Sequence, residues 1–381
     1  MSIIIKEVTG KSMLKKFVAF NTRLYKDSPY HVPTLMADEL MTLDRKKNPA
    51  FEFCESVYYL AYKDNKIVGR IGGIINHRAN ETWNQQYARF SFLDFIDDEE
   101  VSKALFDAVE KWAIGKGMNG IQGPLGFTDL DHEGLLVWGF DRTGTMATSY
   151  SFPYYQQHLA KLGYVKDQDW KEFQIQIPPE IPEKYRRISE IVLKKYGLKI
   201  RKFKKTKDIW PYAKKIFLLW NEAYKPLYGY SELSPRQIDY YVKMYIPMLR
   251  LEMITLIIRE EDDAVIGIGI TLPSLSKALR KAKGKLFPFG WFHLLKALYG
   301  KGEIVDLYII GILPEYQSKG VNAAIFCDLI PVFNKMGFVY AESNPELELN
   351  TKVQSQWLDF DVKHVRTRRA FIKQLSKQVN E

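Results

Sequence analysis

Cysteine is nearly absent: the 381 residues hold two, Cys54 and Cys327, far apart in the chain. That excludes a disulfide framework and a zinc-ligand spacing, so both are expected to be plain core residues in a reducing compartment, and no metal is expected. Long apolar runs are also missing. The richest, Leu286 to Gly300, carries His293 and Lys296 and falls short of the roughly 18 uninterrupted residues of a spanning helix. The start, Met1 to Val8, lacks the charged, apolar and small-residue regions of a secretory signal. A cytoplasmic protein is expected, one that touches a membrane peripherally on its inner face and does not cross it.

With 46% hydrophobic, 14% aromatic and 26% charged residues, the chain is neither disordered nor fibrous. Single domains stop growing at roughly 250 residues, so two domains are expected. Lys and Arg exceed Asp and Glu by 55 to 45, and the net charge of +10 favours anionic partners. Three prolines in Pro178-Pro179-Glu180-Ile181-Pro182 deny backbone donors and helical geometry, which sets the expected domains at 1–178 and 183–381. Before that break, alternation predicts strands at Ile3–Val8, Val57–Tyr62, Ile67–Ile75, Tyr87–Phe95 and Gly120–Phe127. Asp64-Asn65 should form a hairpin turn, and helices are predicted from Ser12 to Tyr25 and over Val101–Ile114.

After the break the order returns. Strands are predicted at Leu198–Phe203, Met253–Ile258, Val265–Thr271, Ile304–Ile312, Phe338–Ser343 and Arg369–Gln374. Helices are predicted at Ile209–Tyr224, Pro235–Met248, from about Ser318, and at Thr351–Leu358. The fold class is therefore α/β (α+β): two tandem domains, each a mixed, mainly antiparallel sheet with helices on both faces.

The stretch Ile309-Ile310-Gly311-Ile312-Leu313-Pro314-Glu315-Tyr316-Gln317-Ser318-Lys319-Gly320-Val321-Asn322-Ala323-Ala324 reads as a buried strand turning into a helix. Bare N–H groups and the positive end of a helix dipole at such a turn suit a phosphate, and Gly320 leaves room for its approach; a glycine-containing helix start with no ligand has the same spacing. The turn resembles that of the GNAT acyltransferase superfamily, which reads Gln or Arg, two residues, Gly, one residue, then Gly or Ala. Gln317 and Gly320 match, and Asn322 departs from the small residue. The resemblance implies tandem GNAT-like domains, with coenzyme A or acyl-CoA as co-substrate held by Ile310, Ile312, Gln317, Ser318, Lys319, Gly320, Val321, Asn322 and Ala323. It also implies an oxyanion held by backbone N–H groups, and an acidic Tyr seven residues after an Asn; here Asn350 is followed at that interval by Trp357.

In the first copy the corresponding turn, Phe95-Ile96-Asp97-Asp98-Glu99-Glu100, places carboxylates where phosphate would sit, so that domain is expected to be degenerate. Amine acylation needs a base. Glu342 and Asn344, on the strand that precedes the Thr351–Leu358 helix, are candidates for binding or deprotonating the amine. His132 and Glu133, beside Asp129 and Asp131 in a glycine-punctuated loop, are the other catalytic candidates, although turn formation and capping by Asp129 would explain that loop equally. His77 and His158 stand alone and read as structural.

From Ala264 through Gly302 there is no Asp or Glu, while seven Lys and Arg interleave with Phe287, Phe289, Trp291, Phe292 and Tyr299. An insertion at 272–302, hinged near Gly284 and Pro288, suits an anionic membrane surface; a lid with solvated lysines is the alternative. Eleven basic residues against Glu190 alone between Lys184 and Lys207 raise nucleic acid, but no recognised module accompanies them, and solvated faces are expected instead. In outline the chain is similar to bacterial GNAT-type proteins that N-acylate sphingoid long-chain bases. That resemblance implies acyl transfer from a coenzyme A or pantetheine thioester to a lipid-like amine. A small-molecule N-acetyltransferase and a noncatalytic membrane-surface or interaction module remain alternatives.

Overall fold

The computed structural model describes residues 2–375; Met1 and residues 376–381 of the expected second domain lie outside it. The first part of the chain runs β1 (Ile4–Glu7), α1 (Gly10–Leu24), α2 (Met36–Thr42), β2 (Cys54–Lys63), β3 (Lys66–Asn76), α3 (His77–Thr82), β4 (Tyr87–Phe95), α4 (Glu99–Gly115), β5 (Gly120–Gly123), β6 (Leu135–Trp138), α5 (Tyr154–Lys161) and β7 (Val165–Gln176). The rest runs α6 (Glu183–Lys195), β8 (Leu198–Arg201), α7 (Trp210–Tyr224), α8 (Pro235–Tyr245), β9 (Ile254–Arg259), β10 (Val265–Pro273), α9 (Ser276–Ala282) and α10 (Gly290–Tyr299). It closes with β11 (Ile304–Ile312), α11 (Val321–Met336), β12 (Tyr340–Ser343), β13 (Glu346–Leu347), α12 (Thr351–Gln354) and β14 (Val362–Gln374).

Two compact units result. The first comprises residues up to Lys171, Ser276–His293 and the chain from Arg366; the second comprises Glu172–Leu275 and Leu294–Val365. The expected division at Pro178–Pro182 is thus displaced to Lys171, and two later segments join the first unit. Strand pairing, rather than linker composition, decides membership: β14 runs antiparallel to β5 over Phe371–Gln374 and to β6 over Thr367–Arg369. Every backbone donor of a buried strand needs a partner, and a strand joins whichever sheet supplies it.

In the first unit, strands follow the order β1-β2-β3-β4-β5-β14. Asp64 and Asn65 take φ of 50° and 59° between β2 and β3, the left-handed pair that a two-residue hairpin requires. Val101, Leu105, Val109 and Ala113 of α4 are buried on one sheet face with Phe90, Phe95 and Ile121, as their helical spacing predicts. Phe17 and Val18 of α1 pack on the other face with Tyr58, Leu60 and Ile74. That face also buries an ion network, in which Arg70 donates to Asp94 Oδ2 at 2.6 Å and to Glu39 Oε1 at 2.5 Å.

In the second unit the order is β7-β12-β11-β10-β9-β8. The β10–β11 ladder is antiparallel and β11–β12 is parallel. Helix α11 lies so close to β10 that a Cβ at Gly269 would stand 2.6 Å from Ile325, while α7 covers the opposite face. Some boundaries differ from expectation. β5 ends at Gly123 rather than Phe127, the first-unit helix starts at Gly10 rather than after Ser12, and Thr351–Leu358 is one α-turn continued by a 3-10 turn at Ser355–Trp357.

Candidate active site at the end of strand β11

Strand β11 is built to open the sheet. Opposite β10 its register slips between Ile270 and Thr271, which pair with Ile309 and Leu307 and leave Tyr308 as a bulge. A bulge bends a strand and re-aims its groups. On the other side the parallel ladder with β12 holds only from Ile304–Tyr340 to Leu307–Ser343, and there the Asn344 amide spans the gap, donating to the Tyr308 carbonyl at 2.7 Å. The Asn344 Oδ1 is buried without a hydrogen-bond partner. Asn344 thus bridges the parting strands and turns an acceptor inward.

Beyond the gap the chain makes a 3-10 turn at Pro314–Tyr316 and enters α11 through Ser318 and Gly320, with φ of 59° and 83°. No side chain caps this helix and its first turn holds no acid; the Ala323 N–H turns back to the Gly320 carbonyl at 3.0 Å, and the positive end of the dipole suits an anion. Gln317 Nε2 donates to the Ile312 carbonyl at 3.1 Å, which ties turn to strand. Gly320 has a packing duty besides its left-handed backbone, because a Cβ there would lie 2.6 Å from Ile188 of α6. Val321 and Ala323 are buried and seat the helix; Ser318 and Lys319 are exposed, and Ile310, Ile312 and Asn322 half-buried. Lys319 lies over the rings of Tyr196 and Tyr316, 5.2 and 5.4 Å from their centroids.

Glu342 is 8% exposed, and its register partner in the parallel ladder is Asp306, 2% exposed. Partners in adjacent strands point to the same face, so two buried carboxyls stand side by side below the gap. Tyr245 of α8 meets Tyr308 at a ring separation of 6.2 Å and stacks on Tyr241, making an aromatic wall. Asp306 escaped the sequence reading, although an acid inside Ile304-Val305-Asp306-Leu307 was a visible signal. Glu346 escaped it too: Trp357 Nε1 donates to its Oε1 at 2.9 Å, and burial pushes its carboxyl up to about 8. Nothing local marks Glu346, since the indole that holds it arrives from a later turn.

The structure brings Ile310, Ile312 and Gln317 to Ala323 together at the end of β11, while Asn344 and Glu342 lie further back along that strand, opposite Tyr308 and Asp306. His132 and Glu133 belong to the first unit, in the loop after β5. There Asp131, not Asp129, organises the chain, accepting from the N–H groups of Phe127 and Thr128 at 2.8 and 3.1 Å, and no helix follows for Asp129 to cap. His132 Nε2 faces the Met146 carbonyl at 3.2 Å, and burial lowers its pKa to about 4. Burial raises Asp129 to about 7 and Asp131 to about 6, and raises Glu133 strongly. His158 bridges Asp97 and Ser102, at 2.9 and 2.8 Å, a structural role as expected. Among the described residues no group of acids, histidines and cysteines is arranged to hold a metal, and no helix is long and apolar enough to cross a membrane.

No protein-family model matches the chain. The chain is similar to bacterial ceramide synthase of Caulobacter vibrioides, 29% identical over 315 residues that cover 80% of this chain and 79% of that protein. It is also similar to Protein YghO of Escherichia coli, 27% identical over 329 residues, 86% and 83% of the two chains. Among solved structures, the tandem GNAT protein from the clavulanic acid biosynthesis pathway superposes with a TM-score of 0.56 at 10% identity, over 98% of this chain and 99% of that one. The fold is the tandem GNAT fold that the sequence resemblance implied.

Proposed function

We propose that the chain is an N-acyltransferase, moving an acyl group from a coenzyme A or pantetheine thioester to a lipid-like amine, with the chemistry in the second unit. One observation carries the reading: the bulged, parted strand β11 leads through one 3-10 turn into a helix start free of side-chain caps and acids. The helix start suits the pyrophosphate of the donor, with Gln317, Ser318, Lys319, Gly320, Val321, Asn322 and Ala323 forming the turn around it. Backbone N–H groups near Ile310 to Ile312 suit the oxyanion of the tetrahedral intermediate. The neutral amine attacks the thioester carbon, and the proton it sheds passes to the carboxyl pair of Glu342 and Asp306. The first unit, whose α4 start carries Asp98, Glu99 and Glu100, serves as scaffold.

Similarity to a ceramide synthase supports a long-chain amine as acceptor. The insertion fits such a substrate. α9 and α10 flank Gly284 and Pro288, and Phe287 and Phe289 are 78% and 72% exposed, with Trp291, Phe292 and Tyr299 exposed beside them. Holding such rings in water forgoes about 1.5–3 kcal/mol each, which an interfacial position on an anionic, inner-leaflet surface would recover with the nearby lysines. The test incubates the protein with a long-chain acyl-CoA and a long-chain amine and follows free thiol and amide product. Turnover is expected, faster than with acetyl-CoA and a small amine; a preference for the small pair would make it a small-molecule N-acetyltransferase. No thioester turnover at all would leave a noncatalytic surface module. Phe287→Ser with Phe289→Ser should weaken sedimentation with anionic vesicles, and unchanged partitioning would make the insertion a lid.

A further inference from the structure

Thiolate departure raises a question that the acid pair of Asp306 and Glu342 does not answer. As the tetrahedral intermediate collapses, the carbonyl re-forms and the carbon–sulfur bond breaks with its electron pair on sulfur, and the new thiolate needs a proton unless it leaves as an anion. In the second unit, three groups meet where β12 ends. Ser343 Oγ accepts from the Phe173 N–H at 3.0 Å, Asn344 reaches across to β11, and Glu346 lies two residues further on, held by the indole N–H of Trp357. Trp357 is 3% exposed and packs its ring against Phe326 of α11 at 5.6 Å and near Phe360, so the donor to Glu346 is rigidly placed. The second carboxyl oxygen, Oε2, is buried, with the Ser343 hydroxyl the other polar group that bears on this carboxyl.

We propose that Glu346, on β13 two residues beyond Asn344 and positioned by Trp357, is the proton donor to the departing thiolate. This rests on the acyl-transfer reading and deepens it. Burial outweighs the two hydrogen-bond donors near Glu346, the Trp357 indole and the Ser343 hydroxyl, and holds the carboxyl in its neutral form with a proton to give. The influences on it are burial, the Trp357 indole and the Ser343 hydroxyl, with no charged side chain among them; burial dominates and keeps the proton on at neutral pH. The step balances: the nitrogen–carbon bond forms, the carbon–sulfur bond breaks, the amine proton goes to the Asp306–Glu342 pair, and the Glu346 proton goes to sulfur. Glu346 is left as a carboxylate, which solvent reprotonates. Trp357 is a positioning residue, acting through Glu346.

The test uses the full-length protein and Glu346→Gln, which keeps shape and removes the proton. With an alkyl thioester donor, Glu346→Gln should lower kcat roughly ten- to a hundredfold with little change in KM, because the leaving thiol has a pKa near 8.5 and gains from an acid. With an aryl thioester, whose thiolate leaves unaided, the variant should match the unaltered protein. The unaltered enzyme should lose rate as pH rises through about 8, and the variant should not. Trp357→Phe should move that limb upward, since the indole bond favours the carboxylate. Equal loss with both donors, or no loss, overturns the proposal while leaving acyl transfer intact. Absence of thioester turnover by the unaltered protein overturns acyl transfer and this proposal together. A readout independent of activity is the infrared difference spectrum at pH 7, where Glu346→Gln should delete a protonated-carboxyl band; an unchanged band region also overturns it.

Discussion

The strand-to-helix turn occurs once in each unit, and the two copies are completed in opposite ways. At α4, Asp98 accepts from the Glu100 N–H at 3.0 Å, Lys63 neutralises Asp98 at 2.7 Å, and Lys161 pairs with Glu99. The helix start is satisfied by its own chain and closed to anions. At α11 the start is a bare left-handed Gly320, with neither cap nor acid. The strand gaps differ likewise. Beyond the β4–β5 ladder, Leu125 donates to the Phe90 carbonyl at 3.0 Å, and the buried Leu125 and Phe127 fill the space. Beyond β11–β12 a single amide, Asn344, makes the crossing. One fold thus yields a sealed copy and an open one, and a few side chains at the turn decide which.

Breaking the sealed copy should have the largest effect. Arg70→Met strands Glu39 and Asp94 in the core of the first unit, and denaturation should show a loss of about 3–5 kcal/mol; a loss under 1 kcal/mol would mean the network is not a structural keystone. Gly320→Ala comes next. An alanine at φ of 83° and a Cβ 2.6 Å from Ile188 should together cost about 2 kcal/mol, whereas α4, entered through extended Asp98, has no such glycine to lose. Asn322→Glu, which gives α11 an acid like those of α4, should weaken coenzyme A binding about tenfold in calorimetry, the effect shrinking with salt. Unchanged affinity would remove the pyrophosphate from this turn.

A further contrast concerns pH. Burial raises Asp129 above its unfolded value to about 7, so the folded state holds a proton that the unfolded state releases from about pH 4 upward, and the stability contribution falls as pH rises between those values. His132 and His31, lowered to about 4 and about 3, act the other way, losing stability as pH falls below about 6.5. The difference between the unaltered protein and Asp129→Asn should therefore decline from pH 4 to 7, and a flat difference would mean that Asp129 titrates normally.

Much of this was legible in the chain. The Asp64-Asn65 turn, the amphipathic α4, the acid-free stretch through α10 and the Gln317–Gly320 turn are all written in neighbouring residues, because torsional preference, periodicity and local charge act over a few positions. The same local logic misjudged Pro178–Pro182 as the divide and credited Asp129 with what Asp131 does. Tertiary structure alone decided the rest. It assigned β14 to the sheet of β5, set Asp306 beside Glu342, turned His132 onto a backbone carbonyl, and gave Glu346 its indole partner. Strand partnership, burial and the pKa that follows from burial depend on residues brought from far along the chain, and no short window of sequence holds both members of such a pair.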